Sequence, residues 1–196
     1  MRKPFKRLDP KTLFRWDKKQ KAYSIDVLID YYRDVYNEWD FSPVQKREID
    51  KDLIEFLEDC VKEIPFKAKI IINFHMPSLL RDEEKEARSK KSLENYFIYL
   101  IRKIEVEKSR MVGNTLLYFV TGSIFLVSAL FIQKILGSTM IGKILPEGLI
   151  IGGWVLLWEI FSIVFFKLKD INFRRKIYRK LLTTKITYVY MNNEVH

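Results

Sequence analysis

The chain has 196 residues, 48% of them hydrophobic and 31% charged, with a formal net charge of +10. Its single cysteine, Cys60, excludes an intramolecular disulfide and every CxxC metal or redox motif. With two histidines, His75 and His196, and no GxSxG, HExxH, Walker or GxGxxG pattern, the sequence nominates no catalytic residue, no metal ligand, no cofactor and no enzyme of a familiar class.

The basic excess lies at the two ends. Residues 1–21 carry nine basic side chains against Asp9 and Asp17 and read as a basic tail. Phe5, Leu8, Leu13, Phe14 and Trp16 among those charges suit a membrane surface, or packing against the chain's own domain. Residues 22–110 hold 16 basic and 19 acidic residues and read as a cytosolic α/β domain of order β-α-β-α. Within it, residues 22–32 alternate: Tyr23, Ile25, Val27, Ile29 and Tyr31 point one way, and Ser24, Asp26, Leu28, Asp30 and Tyr32 the other. Period two with aromatic and β-branched residues predicts a half-buried strand. Residues 36–43 form an aromatic loop in which Trp39 and Phe41 are candidates for binding a soluble protein partner. Residues 50–64 repeat Leu53, Phe56, Leu57, Cys60, Val61 and Ile64 at helical spacing, with Asp50 as N-cap and Pro65 as stop. Cys60 falls on that stripe and reads as a packed core thiol. Residues 66–75 alternate again and predict a second strand, so that strand, helix and strand form a βαβ unit. Asp26 and Asp30 on one strand, with Asn73 and His75 on the next, mark a polar face. It is either a metal or ligand site or, more simply and by preference, a set of ion pairs from Asp26 and Asp30 to Lys67 and Lys69.

Asp82, Glu83, Glu84 and Glu86 suit the positive end of a helix dipole. No Pro or Gly follows Ser78 until Gly113, so this helix is expected to run unbroken into the first apolar stretch. Residues 111–133 carry no charge, and residues 148–166 carry only Glu159. Each is long enough to cross a hydrocarbon core of about 30 Å. The reading is a transmembrane helix over 111–136, an external turn over 137–147 and a second transmembrane helix over 148–166. Arg102, Lys103, Lys108 and Arg110 before the first, and Lys167, Lys169, Arg174 and Arg175 after the second, put both termini in the cytoplasm. These cations attract anionic lipid headgroups. Nucleic acid is the less favoured partner, because the tail has no recognisable nucleic-acid fold. Residues 167–196 form a basic juxtamembrane helix and then a third strand, with Ile186, Tyr188 and Tyr190 against Thr187, Val189 and Met191. The expected fold is thus an α/β membrane protein: a transmembrane hairpin inserted in a small cytosolic domain with a three-stranded sheet.

An ionised carboxylate at Glu159 is costly in hydrocarbon, so it must be protonated, paired or turned to water. Gly148 and Gly152 form a GxxxG pair, and Ser162 follows Glu159 by one turn on the same face. On the first span Asn114, Thr121 and Ser128 recur every seven residues. These small and polar faces are expected to meet, within one hairpin or between subunits. Two spans enclose no aqueous path, so conduction requires a homo-oligomer.

The residues Tyr36-Asn37-Glu38-Trp39-Asp40, Phe56-Leu57-Glu58-Asp59-Cys60, Glu63-Ile64-Pro65 and Gly153-Trp154-Val155-Leu156-Leu157-Trp158 carry a resemblance. In them the chain resembles uncharacterised prokaryotic membrane proteins that join a small cytosolic α/β domain to a two-helix hairpin; that resemblance implies an architecture and no activity. The expected function is an oligomeric two-span membrane protein whose cytosolic domain senses a ligand or partner and whose bundle forms a pore or perturbs the membrane. The alternative is a membrane anchor or adaptor that recruits a soluble partner.

Overall fold

The computed structural model describes residues 10–40, 42 and 47–191. The chain divides into two compact units. An α/β unit is built from both ends, Met1–Ile101 with Lys176–His196, and a helical unit from Arg102–Arg175.

The α/β unit holds a four-stranded sheet of order β1-β2-β3-β4, from β1 (Arg15–Asp17), β2 (Ala22–Leu28), β3 (Lys69–Pro77) and β4 (Lys185–Met191). β3 runs parallel to both β2 and β4, with Ile25 opposite Ile72 and Phe74 opposite Tyr188. The three predicted strands are present, and the strand from the far end of the chain joins the first two.

The fourth strand corrects the expected sheet of three. β1 lies in the stretch read as tail and pairs antiparallel with β2, Trp16 opposite Tyr23. Their rings meet edge to face at 4.8 Å, a cross-strand pair of the kind that holds a short strand on a sheet. The connecting turn is closed by Asp17, whose Oδ1 accepts from the backbone N–H of Lys19 (2.7 Å) and Gln20 (3.0 Å). Lys21 takes the left-handed conformation (φ 49°) that hairpin turns normally assign to Gly or Asn. Without such a residue the turn has no local signature, which is why alternation was visible only from Ala22 onward.

Helix α1 is a single turn, Pro10–Leu13. Helix α2 (Lys51–Glu63) starts as predicted, with Asp50 accepting from the Leu53 N–H at 3.0 Å. Its buried stripe is Ile54, Leu57, Cys60 and Val61, whereas Phe56 is 46% exposed. The inward face is thus rotated by part of a turn from the predicted one. Cys60 is a packed thiol: burial, and then the neighbouring Asp59 charge, push its pKa up to about 11.

β2, β3 and β4 advance across the sheet in one direction, an order in which crossovers of the usual right hand set their helices on the same face. That face carries Tyr23, Ile25, Ile70, Ile72, Phe74 and Tyr188, all buried. The bond from Tyr188 Oη to Ser89 Oγ (2.7 Å) fixes the start of α3 (Glu83–Leu136) on it. Leu93 and Phe97 of the same helix are 1% exposed. The end of α5 (Leu168–Leu182) buries Ile177, Tyr178 and Leu181, and Tyr178 donates to Glu58 of α2.

Phe74, fully buried and stacked 5.4 Å from Tyr188, is the centre of this core. Phe74→Ala is expected to cost about 3–5 kcal/mol, read as a lower midpoint of chemical denaturation. Phe56→Ala is expected to cost under about 1 kcal/mol. Equal losses from the two would place the core elsewhere.

Candidate functional site in the apolar hairpin

The helical unit is a hairpin of α3 with α4 (Met140–Ser162), followed by a π-helical segment, Ile163–Lys167, and the first turns of α5. The connection is shorter than the predicted turn over 137–147. Thr139 caps α4: its Oγ1 accepts from the Gly142 N–H at 3.1 Å and donates to the Leu136 carbonyl at 2.8 Å. Gly142 is buried, and a Cβ there would sit 1.8 Å from the Leu136 oxygen, so only glycine lets the chain fold back at this point. Pro146 is accommodated inside the helix and buried. Read alone, both residues are breakers; here both lie inside the second helix.

Small residues set the helix–helix seam: Gly152 of the expected set lies on it, together with Gly122 and Gly153. Gly122 and Gly153 face each other: a Cβ on Gly153 would meet Leu126 at 2.8 Å and the Gly122 carbonyl at 3.2 Å. Gly152 lies against the Phe125 ring, whereas nothing lies within 4 Å of a Cβ at Gly148. Within one hairpin the GxxxG pair therefore does not act as a unit. On α3 the inward line is Thr115, Gly122 and Ala129, with Gly122 and Ala129 buried. The predicted line of Asn114, Thr121 and Ser128 is one residue away, about 100° around the helix. Asn114 is exposed, and Thr121 and Ser128 are half-buried. Sequence alone shows both seven-residue lines and cannot choose between them; the close backbone approach at two glycines chooses the smaller one.

Glu159 is paired. Its Oε1 accepts from Lys167 Nζ at 2.7 Å, eight residues along the chain. Eight residues of α-helix rise about 12 Å and leave two side chains about 80° apart in azimuth. The π segment takes an extra residue into one turn, which recovers about 100° and brings Lys167 within about 20° of the Glu159 face. Side chains on a helix lean toward its N-terminus, so Lys167 reaches back toward Glu159. Ser162, half-buried on the intervening turn, is not bonded to either. Beyond this pair the hairpin base is tied by Lys108 Nζ to Asn172 Oδ1 (3.3 Å) and by Arg175 to Glu105. Lys167 and the glycines Gly122 and Gly153 are the site residues that sequence reasoning missed. The signal for Lys167 was present as the first cation after the span, but its partner depended on a π turn that has no sequence signature.

The polar sheet face is also assembled, with partners other than those expected. Asp26 Oδ1 meets Ser24 Oγ (2.8 Å), Asn73 Nδ2 (3.1 Å), His75 Nε2 (3.1 Å) and Arg15 (3.3 Å). Lys67 and Lys69 take no part, because the register sets Asp26 opposite Asn73 and Lys69 opposite Ala22. Asp30 lies beyond the end of β2 and does not join the cluster. Partial burial raises the Asp26 pKa, but the bonds from His75, Asn73 and Ser24 outweigh it and hold the carboxyl below its ordinary value.

In the aromatic loop, Trp39 is 93% exposed, and Phe41 lies outside the described residues. The loop around Trp39 is ordered by Asp40, which accepts from the backbone N–H of Ser42 (2.9 Å) and Glu48 (2.6 Å). Bonds from the Ser42 side chain and these N–H groups bring the Asp40 pKa down to about 2. Among the described residues, no group of three or more His, Cys, Asp or Glu side chains is placed to hold a metal ion.

No family model, curated protein or solved structure matches the chain.

Two outcomes test these geometries. Gly153→Leu is expected to part the seam and lower stability in detergent by about 1–3 kcal/mol, while Gly148→Leu, facing open space, leaves the melting temperature unchanged. Asp26 binds its proton more weakly folded than unfolded, so its contribution is present above about pH 4 and is lost as pH falls through the folded value. The stability gap between wild type and Asp26→Asn should therefore be widest at neutral pH and close on acidification; a gap independent of pH would exclude an ionised Asp26.

Proposed function

We propose that the chain is an integral membrane protein whose hairpin crosses the bilayer twice and assembles with further copies, while its α/β unit faces the cytoplasm and takes the input that sets the bundle's state. The observation that carries this reading is the outward surface of the hairpin. Glu83–Leu136 and Met140–Leu182 are long and apolar enough to cross a membrane, and only 11% of the most apolar stretch of each is buried. A soluble core helix hides its apolar side chains, whereas here Leu116, Leu117, Phe119, Val120, Ile124 and Phe131 are all more than 45% exposed. Lipid or other copies are the surroundings in which that surface is stable.

The polar line supports assembly. Asn114 is exposed, and Thr121 and Ser128 are half-buried, so this line keeps surface outside the Gly122–Gly153 contact. In hydrocarbon such groups are satisfied by a neighbouring copy. A ring of hairpins joined along this line would turn it inward, the arrangement a conducting bundle needs. The Glu159–Lys167 pair stands at the cytoplasmic end of the second span in this topology and sets the charge at the mouth of the bundle.

The test reads assembly and flux together. Native mass measurement in nanodiscs is expected to give an oligomer, and Asn114→Leu with Thr121→Val to reduce it to smaller species. A strict monomer eliminates the pore. In proteoliposomes, Glu159→Gln and Lys167→Gln are each expected to change ion flux several-fold. The double substitution should return flux toward the wild-type value, because no unpaired charge then remains in the membrane. Flux that none of the three alters would leave the pair a purely structural contact.

The second reading, an anchor that recruits a soluble partner, rests on Trp39, which is almost wholly exposed on a loop otherwise held by its own hydrogen bonds. It requires that Trp39→Ala abolish partner capture while oligomer size and flux stay unchanged.

A further inference from the structure

The α/β unit has a cavity of about 310 Å³ lined by Tyr31, Tyr32, Arg33, Tyr36, Arg47, Leu80, Lys85 and Arg88. Its lining comes from the segments that leave the carboxyl ends of β2 and β3. In open sheets of parallel strands this edge is where ligands bind, because loops diverge there to neighbouring helices and leave a crevice between them. The volume lies within the range of small-molecule sites.

The chemistry of the lining is one-sided. Four side chains are cationic and none is acidic. Asp34, Asp82 and Glu84 stand behind three of the cations, pairing Arg33 at 3.9 Å, Lys85 at 3.1 Å and Arg88. Those pairs are solvent-exposed, with Arg33, Lys85 and Arg88 side chains 78%, 61% and 52% accessible, and exposed pairs yield readily to a stronger anion. Arg47 is held differently, by its Nε–H to the Ser42 carbonyl (3.3 Å) and by the Tyr36 ring beneath it at 5.8 Å. A guanidinium held through Nε keeps its terminal N–H groups for bidentate binding of a phosphate or carboxylate.

The rings add a second selectivity. Tyr31 is half exposed, and the Arg33 guanidinium lies 4.8 Å from its ring centre. Tyr32 is fixed by donating to Tyr190 Oη (2.9 Å) and by accepting from the Asp82 backbone N–H (3.2 Å), so it is a rigid wall. Aromatic surface beside a guanidinium, with a fixed ring next to it, suits a flat heterocycle attached to an anion.

We propose that this cavity binds a nucleoside phosphate, the heterocycle against Tyr31 and Leu80 and the phosphate between Arg47, Arg88 and Lys85. This deepens the sensing half of the function proposed above and is independent of whether the hairpin conducts. Phosphate could equally arrive on a lipid headgroup, but a headgroup brings no aromatic ring, and the ring separates the two sources.

The experiment is a calorimetric titration of the full chain, in nanodiscs of neutral lipid, with AMP, ATP and ribose 5-phosphate. AMP or ATP is expected to bind saturably and at least ten-fold more tightly than ribose 5-phosphate. Arg47→Gln with Arg88→Gln should weaken the nucleotide at least ten-fold, and Tyr31→Ala should erase the preference over ribose 5-phosphate. Lys18→Gln with Lys19→Gln, which removes the same charge from the β1–β2 turn, should leave affinity unchanged. If the arginine pair impairs folding, Lys85→Gln alone serves, with an expected loss of three-fold or more. Absence of saturable binding, equal binding of ribose 5-phosphate, or equal losses from the Lys18 and Lys19 control would overturn the proposal. A nucleotide that binds a chain found outside the membrane would overturn the membrane reading and leave this one standing.

Discussion

Parallel strands cannot be joined by a turn; the chain must cross over from the end of one to the start of the next. Between β3 and β4 the crossover is α3, α4 and α5 together, so the longest and most apolar part of the molecule is the connection within a small sheet. The rest of the architecture depends on that pairing. It brings the C-terminal segment into the domain begun at the N-terminus and makes β3 a central strand with near-continuous burial from Ile70 to Phe74. It also obliges both ends of the hairpin to return to the same domain.

The two units solve the burial problem in opposite ways. In the α/β unit, polar groups at the rim are bonded to one another. Asp26 collects donors from three strands, and Tyr190 donates to Glu86, which is also paired with Lys90 at 3.2 Å. In the hairpin, the contact between the helices depends on small residues that let backbones approach. Gly122 and Gly153 carry that contact, and the apolar side chains around them turn outward.

The π segment links these themes. A π turn is locally less favourable than α-helix and persists where it positions something. Here it brings Lys167 into line with Glu159, so that the lone acid of the second span has a counter-charge from its own helix.

Much of this was readable from residue order. Alternation in β2 and β4, the Asp50 cap, the unbroken run of α3 into the first apolar stretch and the two long apolar helices all follow from local periodicity and composition. Such features are decided by residues within a few positions of each other, so a linear pattern records them. What the pattern could not hold was decided by neighbours far apart in the chain. β1 exists because Trp16 meets Tyr23 across a turn with no glycine. Gly142 and Pro146 become helical because the chain folds back on Leu136. Which of two seven-residue lines faces α4 depends on where Gly153 lies, and the partners of Asp26 depend on strand register. Periodicity names the faces of an element, but only the surrounding structure selects which face is buried and what it meets there.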